Sequence, residues 1–173
     1  MTLIDTRSHD GVRERTITWT DPAQARFRGR GLNGYERLLA IKRGELAAPP
    51  AAALLGLELE RVEPGRTVFS LLADEVHENP MGTMHGGIVA ALVDTAMGCA
   101  LSSRLDADAG FTTLELKTNY VRAITQATGK IYADGTVVHA GGRVATTEAR
   151  VHDSSGTLYA HATSTCMILR GTR

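Results

Sequence analysis

Asp94 is the one carboxylate in the stretch MGTMHGGIVAALVDTAMGCA, residues 81–100, whose other members are nearly all small or apolar. Burying an ionised carboxylate without partners costs several kcal/mol, so a charge kept in such a segment has a partner or a task. The partner could be Thr95, Ser102 or a group across an interface. The task would be that of the general base, or the nucleophile, of a hydrolase.

The same stretch opens with His85-Gly86-Gly87. At the start of a helix the first backbone N–H groups have no intrahelical partner, and the macrodipole adds partial positive charge. Glycines leave those donors open, which suits a carbonyl oxygen that becomes an oxyanion, although glycine also serves close packing or unusual backbone angles. Gly86 and Asp94 are eight residues apart. On a helix that is about 12 Å, too far for both to act on one carbonyl. If they share a substrate, they come from two subunits, and a two-fold dimer would carry two equivalent interfacial sites.

Other residues could contribute. Asn79 can donate a side-chain N–H to the same carbonyl, or simply open an Asn-Pro turn. Thr112 and Thr113 begin a strand expected beside the helix, where a hydroxyl could orient a water or be merely structural. His77, His139, His152 and His161 have no metal-ligand spacing, and no CxxC or HExxH pattern occurs, so no metal is expected. The chain has no G-x-S-x-G elbow, and Cys99 on the apolar helix reads as core rather than nucleophile. No Gly-rich phosphate loop suggests a bound cofactor.

These groups must be positioned by one domain, the usual content of 173 residues. The 19 basic and 19 acidic residues cancel, which gives no argument for a nucleic-acid partner. The densest basic run, RFRGRG at 26–31, reads as a solvated arm, with phosphate contact the lesser reading. The two cysteines do not make a disulfide scaffold. A polar N-terminus without a secretory pattern points to the cytoplasm, and the apolar run from Ile88 to Leu101 is too short for a membrane span.

Residues 1 to about 30 show no period and are expected to form a poorly ordered arm. A short amphipathic helix with Leu38, Leu39 and Ile41 should run from near Asn33 to Gly44, and Pro49-Pro50 should stop any helix. Two strands between Leu55 and Ala73 meet at the turn Glu63-Pro64-Gly65-Arg66. A helix buried all round is expected over Gly86 to Arg104. Four β runs follow: 112–124, 129–139, 143–153 and 158–169. In the first, Leu114, Leu116, Thr118 and Tyr120 mark one face by alternation. Small inner residues such as Ala145, Ala149, Ala160 and Ala162 let a helix lie close. The expected architecture is α+β, one long central helix wrapped by a curved antiparallel sheet. Residues 1–50 form the arm and short helix, and 51–173 the main domain.

NPMGTMHGGIVAALVDTAMGCA followed by TTLELKTNYVRAI resembles the hotdog-fold thioesterases of the phenylacetate-degradation, PaaI-like type, over Ala51 to Leu169. The preceding LLAIKRGELAAPPAAALLG resembles an N-terminal extension of one bacterial branch. The resemblance implies a homodimer or dimer of dimers that hydrolyses acyl-CoA thioesters, with CoA part of the substrate and no separate cofactor. It places the family's carboxylate on Asp94, its oxyanion donor on Gly86, its carbonyl-contacting Asn on Asn79 and its water-orienting hydroxyl on Thr113, with Thr112 nearly as good. His85 takes the motif histidine, a structural role before the helix. Arg122 and Arg143 are implied contacts for CoA phosphates, and Ala123 replaces a proline common in relatives. Two other readings share the scaffold: a non-catalytic acyl-CoA sensor, and an enoyl-thioester hydratase, which would pair a catalytic His with a carboxylate.

Overall fold

The protein's structure, a computed structural model, describes residues 11–170. Three short helices precede the sheet: α1 (Pro22–Arg28), α2 (Gly34–Lys42) and α3 (Pro50–Leu55). Part of the expected arm, residues 1–10, lies outside the described residues. The rest departs from expectation at α1, where the Asp21 side chain accepts the Ala23 N–H at 2.9 Å and Pro22 occupies the first turn. Cap and proline together start a helix that seven residues are too few to reveal by periodicity. The helix expected from Asn33 is α2, closed by a capping box in which Asn33 and Glu36 each accept the other's backbone N–H at 2.9 Å. Pro49 and Pro50 were expected only to stop a helix. Pro50 also opens α3, because its missing N–H costs nothing in a first turn.

The strands are β1 (Glu58–Glu63), β2 (Arg66–Leu72), β3 (Ala109–Tyr120), β4 (Lys130–Ala140), β5 (Val144–Asp153) and β6 (Leu158–Arg170). They form one six-stranded sheet in the order β1-β2-β4-β5-β6-β3. Every neighbouring pair is antiparallel. The hairpin turns where expected, with Glu63 opposite Arg66. The last three strands make the expected meander. The first of the four β runs, β3, instead pairs on the far side of β6 and is the edge strand.

Helix α4 (Gly86–Ser102) lies across the face formed by β2 to β6. Its own Leu92, Val93, Ala96, Met97 and Leu101 are fully buried, as are Ala145, Ala149, Ala160 and Ala162 of the sheet. Two contacts fix the helix along its axis. The buried Thr67 hydroxyl donates to the Ala96 carbonyl at 2.7 Å, and a Cβ on Gly135 would sit 2.6 Å from the Ala96 carbonyl carbon. Only a glycine in β4 admits that approach. At the other end a Cβ on Gly34 would meet the Ser102 carbonyl oxygen at 1.7 Å, so α2 packs backbone to backbone on the C-terminus of α4. One long helix held by an antiparallel sheet is the hotdog fold.

One expectation about β3 fails. Leu114 is 55% exposed rather than on the face with Leu116 and Thr118, because pairing with β6 slips between Thr113 and Glu115. A β-bulge adds one residue there and breaks the alternation. Phe111 and Thr113 face the helix before it, and Leu116 and Thr118 after it.

Candidate active site

The N-terminus of α4 is built by loop chemistry. Asn79 opens a turn in which its Oδ1 accepts the Met81 N–H at 2.9 Å and its Nδ2 donates to Thr83 Oγ1 at 2.9 Å. Gly82 closes that turn at φ 73°, where a side chain would be strained. The loop then delivers His85 as the N-cap of α4. Its backbone N–H donates to the His77 carbonyl at 2.7 Å, and its Nδ1 accepts the Gly87 N–H at 2.9 Å. The ring is therefore in the tautomer with hydrogen on Nε2.

The His85 carbonyl takes the Ile88 N–H at 2.9 Å, so Gly87 and Ile88 are both satisfied. The Gly86 N–H has no acceptor among the described residues. It is thus an open donor at the positive end of the helix. The Gly86 carbonyl is also held, by the Tyr120 hydroxyl at 2.9 Å. With Tyr120 on one side of the Gly86-Gly87 peptide and His85 on the other, that plane cannot turn freely. Asn79, Gly86, Tyr120 and Arg122 share a cavity of about 350 Å³ whose apolar walls include Met84 and Val89.

A second cluster stands further along α4. Asp94 is half-buried, and its Oδ1 accepts the Thr113 hydroxyl at 2.9 Å. Thr112 points to the opposite, exposed face, so of the two threonines it is Thr113 that meets the carboxylate. Thr95, offered by the sequence as a partner for Asp94, instead donates to the Ala91 carbonyl at 2.8 Å within its own helix. Cys99 is unsuited to attack: burial, helped by the Asp94 charge, pushes its thiol up to about 12.

The sequence-predicted residues therefore fall into two groups. Asn79, His85, Gly86 and Arg122 gather at the helix start, and Asp94 and Thr113 pair about 12 Å further along α4. Arg143 belongs with neither cavity wall. It lies in the β4–β5 turn, where its carbonyl accepts the Ile168 N–H at 2.8 Å, at the end of the sheet occupied by Thr113. Tyr120 escaped sequence reasoning. As one of several β-strand aromatics it gave no signal, and its hydroxyl gains meaning only through its contact with Gly86.

Tyr120 and Thr113 mark the two ends of the relationship. They are seven positions apart on β3, an odd number that would send them to opposite faces of a regular strand. The bulge between Thr113 and Glu115 turns both toward α4, one onto Asp94 and the other onto Gly86.

The sequence profile of the Thioesterase superfamily matches residues 81–160, which include Gly86, Asp94, Thr113 and Tyr120. A provisionally assigned esterase of Halobacterium salinarum is 33% identical over 64% of this chain and 75% of its own length. The 1,4-dihydroxy-2-naphthoyl-CoA hydrolase of Listeria monocytogenes is 28% identical over 58% of this chain and 80% of its own. Among solved structures, a provisionally assigned thioesterase of Ralstonia eutropha related to phenylacetic acid degradation superposes with a TM-score of 0.69 at 26% identity, over 75% of this chain and 98% of that one.

Proposed function

This chain belongs to the thioesterase superfamily, and we propose that it hydrolyses acyl-CoA thioesters, as a PaaI-like homodimer with its active sites between subunits. The observation that carries the proposal is the separation of two clusters along one edge strand. Asp94 with Thr113 stands near the middle of β3, and Gly86 with Tyr120 at its C-terminal end. The helix between Gly86 and Asp94 is unbroken, so the two stay about 12 Å apart within a chain.

Among the described residues β3 pairs with β6 alone, which leaves its outer backbone edge open over a strand of 12 residues. A long open edge is a template for another strand. If two copies pair antiparallel about a two-fold axis between Leu116 and Lys117, Thr113 of one chain falls opposite Tyr120 of the partner subunit. Each Asp94 then faces a helix start that is not its own, and two complete sites form. Exposed Leu114, 55%, and Val121, 59%, beside that edge would be covered by the same step.

In the completed site a water lies against Asp94, whose carboxylate is aimed by Thr113. The water loses a proton to Asp94 as its oxygen bonds the thioester carbonyl carbon. The carbonyl oxygen, now an oxyanion, receives the Gly86 N–H and the second hydrogen of the Asn79 amide, whose first is spent on Thr83. Collapse re-forms the carbonyl, breaks the carbon–sulfur bond and expels the CoA thiolate, which takes up the proton from Asp94. The products are the free acid and CoA. His85 spends its Nδ1 on the helix cap and pairs with no carboxylate among the described residues, which favours hydrolysis over a hydratase that pairs a catalytic His with a carboxylate.

No described helix is long and apolar enough to cross a membrane, and the proposed setting is the cytoplasm, as a dimer or a dimer of dimers. Release of free thiol from a panel of aryl, short-chain and long-chain CoA esters tests the reading. A sensor would be stabilised by the esters and release no thiol; a hydratase would change enoyl absorbance and release none.

A further inference from the structure

A groove of about 460 Å³ lies between α1, α2 and the start of α3, outside the site described above. Its floor is apolar, with Ile41, Leu46 and Pro50, and its rim carries Arg26, Arg30 and Arg37. No carboxylate lines it, and none of the three arginines has an acidic partner within salt-bridge distance among the described residues. This is the basic run RFRGRG, which the sequence suggested as a free arm. It is instead packed down: Gly29 is buried, and a Cβ on it would meet Leu46 Cδ1 at 3.4 Å and Arg37 Nε at 3.5 Å.

Two of the guanidinium groups are already placed. Arg37 donates to the carbonyls of Leu32 at 3.2 Å and Gly29 at 3.4 Å, and Arg30 lies 5.0 Å from the centre of the Phe27 ring. Cations held in advance lose less freedom on meeting an anion. Guanidinium forks over an apolar floor match a nucleotide, whose ribose carries both the phosphoryl groups and a flat base.

Position adds the second argument. Ala107 in the groove wall lies in the turn that leads into β3 and precedes Thr113 by six residues, a separation of at most about 20 Å. That is comparable with the extended pantetheine arm, which separates the thioester of an acyl-CoA from its nucleotide. The groove also stands at the end of β3 nearer to Thr113.

Resting on the thioesterase reading, we propose that this groove holds the phosphorylated nucleotide end of the CoA ester. The protomer that supplies Asp94 thus also anchors the nucleotide, while the partner supplies the oxyanion donor. The pair of changes Arg26→Glu and Arg30→Glu should lower kcat/KM for a CoA ester, relative to the N-acetylcysteamine ester of the same acid, at least tenfold, mainly through KM. The neutral pair Arg26→Gln and Arg30→Gln should move it the same way by less. Arg28→Glu, on the same helix but outside the groove, is the control. An unchanged ratio in both pairs, or an equal loss in the control, overturns the proposal.

Direct binding keeps the test independent of turnover. Adenosine 3′,5′-bisphosphate should bind the unmodified protein in calorimetry, and the Arg26→Glu, Arg30→Glu protein at least tenfold more weakly. No binding overturns the groove even if thiol is released. Binding without thiol release from any ester would overturn the hydrolase reading alone. Simple ADP that binds as tightly as CoA, with the ester preference unchanged in the variants, would assign the groove to free nucleotides and overturn the proposal.

Discussion

The Thr113 hydroxyl donates to Asp94 Oδ1 at 2.9 Å, and it joins the middle of the central helix to the edge strand. It leaves the second carboxylate oxygen free of protein partners among the described residues. An anchored carboxylate with one open oxygen is the form a general base requires.

Asp94→Asn should therefore lower thiol release from a CoA ester by a factor of about 10² to 10⁴, the usual yield of a positioned general base. The melting temperature should stay close to that of the parent, since Asn can still accept the Thr113 hydrogen. Thr113→Val should cost about tenfold in kcat, from a carboxylate no longer aimed. Equal turnover by the Asn protein would remove Asp94 from the mechanism.

Gly86→Pro tests the oxyanion donor without removing the helix. Proline is accepted at the first helical position, and His85 already has the extended backbone that precedes it, with ψ 131°. The change deletes the N–H and adds a ring whose Cβ would lie 3.1 Å from Tyr120 Cζ, so the exposed Tyr120 ring must give way slightly to admit it. Loss of about 10²-fold or more in kcat with circular dichroism unchanged is expected.

The two inactive proteins should rescue each other. When Asp94→Asn and Gly86→Pro chains are mixed and allowed to exchange, each heterodimer carries one site built from its two intact halves. Activity should return to about a quarter of the parent value at equal mixing. No recovery, with exchange demonstrated by mass spectrometry, would place both groups in one chain's own site.

Gly135→Ala should destabilise the fold by about 3 kcal/mol, toward the upper end of overpacking. Its Cβ would meet backbone, at 2.6 Å from the Ala96 carbonyl carbon, and backbone cannot rotate away. A thermal melt should show a midpoint lower by about 10 °C.

His77 gives the stability a pH dependence. Burial, reinforced by the Arg15 charge, lowers its proton affinity below the ordinary value of 6.5. The unfolded chain therefore binds the proton more readily than the folded one. Stability is complete above about pH 6.5 and falls as the pH drops toward the depressed folded value. Denaturant midpoints should follow that course, and His77→Leu should flatten it.

Tyr120→Phe should reduce kcat by about tenfold with little change in KM. Its hydroxyl holds a peptide that the substrate does not displace. A KM effect alone would make Tyr120 a wall of the acyl cavity rather than a positioning residue.

Much of this was legible in local pattern. The helix start near Asn33, the Glu63–Arg66 turn and the three-strand meander follow from short-range rules, because neighbouring residues alone decide caps, turns and alternation. The apolar stretch announced a helix on the core, and its solitary Asp94 a partner or a task, since an unpartnered charge there is too costly to be incidental; the folded chain supplies the partner, Thr113. The separation of Gly86 from Asp94 along α4 followed from helical rise.

Tertiary structure decided what depends on partners distant in sequence. The bulge between Thr113 and Glu115 exists only through register with β6, and it alone chooses Thr113 over Thr112 and exposes Leu114. Tyr120 acquires its hydroxyl contact from a helix start 34 residues away. RFRGRG became a groove wall because Leu46 and Arg37 fold back onto Gly29. The sequence by itself determined which groups carry charge and which segments must be buried, because those are properties of single residues and short periods. Which hydroxyl meets which carboxylate is a property of register and packing, and only the folded chain sets it.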